Sequence, residues 1–181
     1  MLLDASKSSL LIVDIQERLL PAMAEGNSVV ARTRVMQAAA QELGLPVTIS
    51  EQYPKGLGRT VSDIASNDAK VFEKLSFSCW RDEGMRGHFI SLHEAGRPQV
   101  IIAGIEAHVC VLQTAIDFAQ AGFATYVVQD AVASRKQASV ELALNRMNAS
   151  GVSVINTEMA VFELLERAGS PAFKTLSALI R

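Results

Sequence analysis

The stretch Gln99-Val100-Ile101-Ile102-Ala103-Gly104-Ile105 is a short, continuous apolar run rich in β-branched residues. Such a run reads as a strand covered on both faces. An Ala-rich segment with helical periodicity follows from His108 to Ala121, and Gly122 stops it. Ala124-Thr125-Tyr126-Val127-Val128 then reads as the next strand, closed by Gln129-Asp130. Strand, helix and strand in this order make a βαβ unit, whose two strands lie parallel in one sheet.

The same alternation continues in both directions. Leu10-Leu11-Ile12-Val13 runs into Asp14 and Ile15, and Pro46 to Ser50 and Gly151 to Ile155 are further apolar runs. Lys70 to Lys74 is a weaker, short sixth. Helical patterns span Ser28 to Leu43, with Gly44 as C-cap, and Met85 to Ala95, with Gly96 and Pro98 beyond. Others span Lys136 to Ala149 and Thr157, read as an N-cap, to Arg167. Ser170-Pro171 opens a last short helix. The pattern predicts one α/β domain over residues 1–181, a three-layer α/β/α sandwich around a six-stranded, mostly parallel, Rossmann-like sheet.

Composition narrows the function. Of 181 residues, 49% are hydrophobic and 20% charged, the balance of a folded chain. Lys plus Arg is 17 and Asp plus Glu is 19, a formal charge of −2, so no nucleic-acid partner and no anionic lipid surface is expected. The cysteines are Cys79 and Cys110, too few for a disulfide scaffold or a thiolate zinc site. Met1 to Lys7 lacks a signal-peptide pattern and no apolar run reaches membrane-spanning length, so a cytoplasmic protein with reduced thiols is expected.

In a doubly wound sheet, ligands bind outside the carboxyl ends of the strands. The residues there are Asp14 with Gln16, Ser50 to Tyr53, Lys74, Ile105 to Cys110, and Asp130. Among them Asp14, Lys74 and Cys110 carry reactive chemistry. A cysteine in the first turn of a helix meets unpaired N–H groups that favour a thiolate and can receive an oxyanion. A lysine beside it would lower the thiol pKa further, and a carboxylate could take its proton and later activate water. Taken alone, a free cysteine is most often a small buried hydrophobe, and a lysine such as Lys74 is by default a surface residue.

Three blocks extend this reading: Leu10 to Leu19, Phe72 to Ser78, and Gly104 to Asp117. In Leu-Leu-Ile-Val-Asp-Ile-Gln-Glu-Arg-Leu, Phe-Glu-Lys-Leu-Ser-Phe-Ser and Gly-Ile-Glu-Ala-His-Val-Cys-Val-Leu-Gln-Thr-Ala-Ile-Asp, the chain resembles the isochorismatase-like (cysteine hydrolase) superfamily. The resemblance covers nearly the whole chain. It implies a catalytic triad of Asp14 as proton carrier, Lys74 as supporting cation and Cys110 as nucleophile. It also implies an oxyanion hole from the backbone N–H groups of Glu106 and Cys110, with a cis peptide bond between Ile105 and Glu106. The implied reaction is hydrolysis of a small amide or related C–N substrate through a thioester. The alternatives are hydrolysis of an isochorismate-like vinyl ether and a catalytically silent scaffold of the same fold. Family members are often homo-oligomers, and Pro171 to Ile180 is apolar enough to pack on a neighbour.

Metal-binding nicotinamidases of this superfamily carry an Asp-x-His pair after the second strand. Here the segment is Ser50-Glu51-Gln52-Tyr53-Pro54-Lys55-Gly56-Leu57-Gly58, without histidine, so no metal is expected. No G-x-G-x-x-G or Walker pattern occurs, and no cofactor is expected. Gln16, Gln52, Tyr53, Trp80 and Ile105 are the candidate substrate-binding residues, with Glu51 beside them. Cys79 reads as buried or as pocket wall. His108 lies about 200° round a helix from Cys110 and reads as pocket rim or subunit contact. Glu106, a carboxylate beside the oxyanion hole, is expected to turn toward solvent or a cation such as Lys74 or Arg135.

Overall fold

Continuous apolar strands need cover on both faces, and the flanking helices supply it. The computed structural model describes residues 1–180. Its six strands are β1 (Ser8–Val13), β2 (Val47–Gln52), β3 (Lys70–Lys74), β4 (Gln99–Ile105), β5 (Ala124–Ala133) and β6 (Ser153–Ile155). They form one sheet in the order β3-β2-β1-β4-β5-β6, and every neighbouring pair is parallel. All of β1 and β4 is buried, and successive side chains enter opposite layers. Leu10, Ile12, Ile101, Ala103 and Ile105 belong to one core; Leu11, Val13, Val100 and Ile102 belong to the other.

The described residues form seven α-helices. They are α1 (Gly26–Leu43), α2 (Pro54–Leu57), α3 (Glu83–Glu94), α4 (Leu112–Gln120), α5 (Gln137–Ala149), α6 (Thr157–Leu165) and α7 (Pro171–Ser177). α1 brings Val29, Met36 and Ala40 to the first core, and α6 brings Ala160 and Leu164. α3, α4 and α5 close the second with Met85, Phe89, Ala115, Phe118, Val140 and Met147. Gly44 ends α1 in the left-handed conformation, φ 70°, as its placement predicts.

Three local readings change. The N-cap of α6 is Asn156, whose side chain accepts the Met159 N–H at 2.7 Å, because Thr157 is held elsewhere. Its N–H and hydroxyl both donate to Asp130 Oδ1, at 2.8 and 2.9 Å. β5 does not close at Asp130 but runs on to Ala133 through an irregularity: Ile102 faces Val127, whereas Gly104 faces Val132. The C-terminal apolar stretch is partly used within the chain, where Leu176 packs fully buried against Ala39, Val161 and Leu165.

The strand order reverses direction between β1 and β4, the crevice where such sheets bind ligands. The two strands approach closely there. A Cβ on Gly104 would lie 2.1 Å from the Val13 carbonyl oxygen, and its φ is +126°, so only glycine fits.

Candidate active site

At the carboxyl end of β1 the chain turns sharply. Asp14 adopts φ 53°, a left-handed conformation that aspartate tolerates better than most residues. Its N–H stays on the sheet, donating to the Ser50 carbonyl at 3.1 Å, so the carboxylate is aimed from a fixed point. Ser50, near the end of β2, donates its hydroxyl to Asp14 Oδ1 at 2.7 Å. Lys74, the last residue of β3, donates to Asp14 Oδ2 at 2.8 Å. Both side chains of this ion pair are fully buried.

A buried ammonium must satisfy its protons or cost several kcal/mol. Lys74 Nζ also reaches Gln52 Oε1 at 2.8 Å and the carbonyls of Ser76 and Phe77 at 3.2 and 3.3 Å. Burial works against its charge. The Asp14 carboxylate, with the Cys79 and Cys110 sulfurs, outweighs it, and the Lys74 pKa is raised.

Cys110 comes from the other side of the crevice. β4 ends at Ile105, the Ile105–Glu106 peptide bond is cis, and Ala107–Val111 form a π-helical turn before α4. The Val111 N–H donates to the Glu106 carbonyl at 3.2 Å, a five-residue span that widens the turn around Cys110. Cys110 is 5% exposed. Its thiol is pushed above its ordinary value, first by burial and then by the Asp14 carboxylate, with Lys74 opposing. Desolvation thus works against the thiolate that the sequence position favours, and Lys74 works for it. The arrangement is a neutral thiol within electrostatic reach of a carboxylate already held by a cation.

The remaining candidates separate into those that hold the site and those that lie beside it. Gln16 and Gln52 were placed as substrate contacts, but their amides are committed inside the protein. Gln16 donates to the carbonyls of Gln52 and Gly58, at 3.1 and 2.7 Å, and accepts the Gln52 N–H at 2.8 Å. Gln52 receives Lys74 and donates to the Leu75 carbonyl at 2.8 Å. Glu51 likewise accepts from Thr60 and Arg59 and pins the 58–61 segment. Trp80 turns away into an edge-to-face cluster, with ring centroids 5.1 Å from Phe118 and 5.5 Å from Phe123. Ile105 is buried. Tyr53 is half exposed and, with Lys55, Glu73, Leu75 and Asp82, lines a cleft of about 470 Å³ that reaches Lys74.

Cys79 is fully buried, and its thiol is pushed up to about 11, mainly by burial. It leans on Ser50 Oγ at 3.6 Å, while its N–H donates to Thr114 Oγ1 at 2.9 Å. His108 Nδ1 lies 2.9 Å from Ser134 Oγ, facing β5's end rather than Asp14. Glu106 meets Arg135, Nε to Oε2 at 3.0 Å. Arg135 is one of the two cations expected for Glu106, and it is the one that meets it. Ser50 appears in the sequence only as a strand-end residue and Ser134 is not singled out, since each acts on a partner far along the chain. Ser78 Oγ is buried near Lys74 without a partner among the described residues. Among those residues no three His, Cys, Asp or Glu side chains converge on a metal position.

Residues 8–159 match the family described as "Isochorismatase domain". The secreted isochorismatase effector Isc1 of Phytophthora sojae is 38% identical over 179 residues, covering 96% of this chain and 84% of that protein. Among solved structures, the MAR1 ribonuclease of Caenorhabditis elegans is 32% identical with a TM-score of 0.90, covering 99% of this chain and 92% of that one. The ycaC gene product of Escherichia coli, described as an octameric hydrolase of unknown specificity, shares the fold at TM-score 0.91 and 23% identity, over 99% and 90% of the two chains. On the matched domain and on the identity to its relatives along nearly its full length, this chain belongs to the isochorismatase family.

Proposed function

We propose that the protein is a cysteine hydrolase of a small amide or related C–N substrate, without metal or cofactor. The observation that carries this reading is the fully buried Asp14–Lys74 pair at 2.8 Å, beside a cysteine in the widened turn after β4. A buried ion pair is a poor source of net stability, so its retention at a ligand crevice is better explained by chemistry.

Asp14 takes the Cys110 proton as the sulfur attacks the carbonyl carbon, so the S–C bond forms while the carbonyl oxygen becomes anionic. The N–H groups of Glu106 and Cys110 receive that oxygen. The intermediate collapses with cleavage of C–N, and Asp14 returns the proton to the leaving amine. Water then attacks the thioester and gives its proton to Asp14. The S–C bond breaks, the acid leaves and the thiol regains a proton. Lys74 stays charged throughout and steadies Asp14 and the thiolate. A neutral resting thiol fits this order, because the proton moves only when the electrophile is present.

An RNA substrate, suggested by the name of the nematode relative, fits this chain less well. Its formal charge is −2, and Lys74, the cation buried here, is already paired. The two free cysteines suit a reducing compartment such as the cytoplasm. Among the described residues no helix is long and apolar enough to cross a membrane. Homo-oligomerisation, as in the octameric E. coli protein, is part of the proposal.

The test is a panel of small amides, ureas and N-carbamoyl compounds read by ammonia release. Cys110→Ala should abolish release at unchanged far-UV circular dichroism, and Cys79→Ala should retain it. Ammonia release undiminished in Cys110→Ala would reject the thioester route; turnover of an isochorismate-like vinyl ether, unaffected by Cys110→Ala and without ammonia release from the panel, would favour the ether-hydrolase reading.

A further inference from the structure

Glu106 poses an electrostatic problem. In the proposed reaction its backbone N–H faces a developing oxyanion, while its own carboxylate is tethered to the same residue by a short side chain. That side chain is only 10% exposed, so water screens it poorly. A bare carboxylate there would oppose both the thiolate and the oxyanion. Arg135 answers it from just beyond β5. Its Nε donates to Glu106 Oε2 at 3.0 Å, and its backbone N–H donates to the same oxygen at 3.3 Å. One residue earlier, Ser134 Oγ meets His108 Nδ1 at 2.9 Å. Two consecutive residues after β5 thus grip the turn that carries Cys110.

We infer that Arg135 is a positioning residue that neutralises Glu106, so that negative charge can develop on the Cys110 sulfur and at the neighbouring N–H groups. This inference rests on the nucleophile and oxyanion roles proposed above. It assigns Arg135 a role in the site's electrostatic potential rather than in chain stability alone, since its side chain is 61% exposed. The groups that act directly on the thiol, Asp14, Lys74 and the buried Cys79, are the same in every variant below.

The probes are iodoacetamide and iodoacetate, which have nearly equal size and differ by one negative charge. Each forms an S–C bond with loss of iodide, while the thiol proton leaves through Asp14 or solvent. The full-length native protein is alkylated across the alkaline range, and labelling of Cys110 and Cys79 is followed separately by peptide mass spectrometry. Arg135→Gln should slow Cys110 labelling by about three- to tenfold, the range left once water and salt screen an exposed guanidinium. It should slow iodoacetate more than iodoacetamide. Arg135→Lys should keep most of the wild-type rate, and Glu106→Gln/Arg135→Gln should restore both rates and their ratio. A merely structural contact would not move the ratio, nor be rescued by removing the second charge. Equal rates in wild type and Arg135→Gln, or a double variant no faster than Arg135→Gln, would overturn the inference while leaving the nucleophile assignment standing. Wild-type protein in which neither reagent labels Cys110 would overturn both.

Discussion

Lys74→Met should be the most damaging single change at the site that leaves the cores intact. Methionine keeps the length of the lysine stem and removes its charge. The ion pair it breaks is fully buried on both sides, so Asp14 would keep a desolvated carboxylate with the Ser50 hydroxyl and the Cys110 thiol in place of a cation. Breaking such a pair from one side costs about 3–5 kcal/mol. The acceptors on Gln52, Ser76 and Phe77 are also left without their donor. A urea m-value of about 2 kcal/mol/M turns this into a midpoint lowered by about 1.5–2.5 M. Asp14→Asn/Lys74→Met removes both charges and should recover much of the loss, giving a large coupling energy in a double-mutant cycle. The pair's pH dependence has a definite sign. The Lys74 pKa is raised from 10.5, so the stabilisation is fully present below that value and is lost as pH rises through the folded-state value. Urea melts followed by circular dichroism at neutral pH suffice as the assay. A midpoint moved by less than about 0.5 M, equivalent to about 1 kcal/mol, would show that water reaches the pair and would refute the buried-pair argument.

Two other substitutions separate the supporting groups. Ser50→Ala removes a hydrogen bond to a buried carboxylate, about 1.5–3 kcal/mol, and calorimetry should show a Tm lower by several degrees. An unchanged Tm would mean that Asp14 is held by Lys74 alone. Cys79 has its pKa pushed from 9.0 to about 11 by burial, so the unfolded chain ionises first and stability should fall as pH rises from 9.0 toward about 11. That loss is of order 2–3 kcal/mol, and Cys79→Ala should flatten this alkaline limb; an equally steep limb in the variant would place its origin elsewhere.

What the sequence discloses here follows the range over which a signal acts. β1 and β4 are legible because burial on both faces makes every residue of Leu10 to Val13 and Val100 to Ile102 apolar. In a parallel sheet the carboxyl ends of all strands lie on one side, so strand-end placement alone gathers Asp14, Lys74 and Cys110. Gly44, a cap for the helix before it, is likewise a local matter. Periodicity is silent about a side chain whose partner is set by tertiary register. Gln16 and Gln52 look like pocket amides from their strand-end positions, yet their bonds go to each other, to Gly58 and to Lys74. Trp80 sits two residues past Ser78 in a loop that could face either way, and the aromatic cluster with Phe118 and Phe123 decides it.

The thiol shows the same limit in energetic form. Position alone makes Cys110 a helix-terminal cysteine beside a lysine, which argues for a thiolate. Position does not reveal how little water reaches it, and desolvation of a buried group can outweigh one nearby cation. The result favours a site in which the pieces are held apart in charge until substrate arrives. Lys74 is bound to Asp14, Glu106 is bound to Arg135, and burial pushes the Cys110 thiol up, toward its neutral form. Each pair leaves little net charge, so a neutral amide, the substrate class proposed above, meets neither a strong field nor a desolvation cost from a bare ion. In the proposed reaction, charge appears on the sulfur and the carbonyl oxygen only as bonds change, with Lys74 held beside Asp14 to steady it.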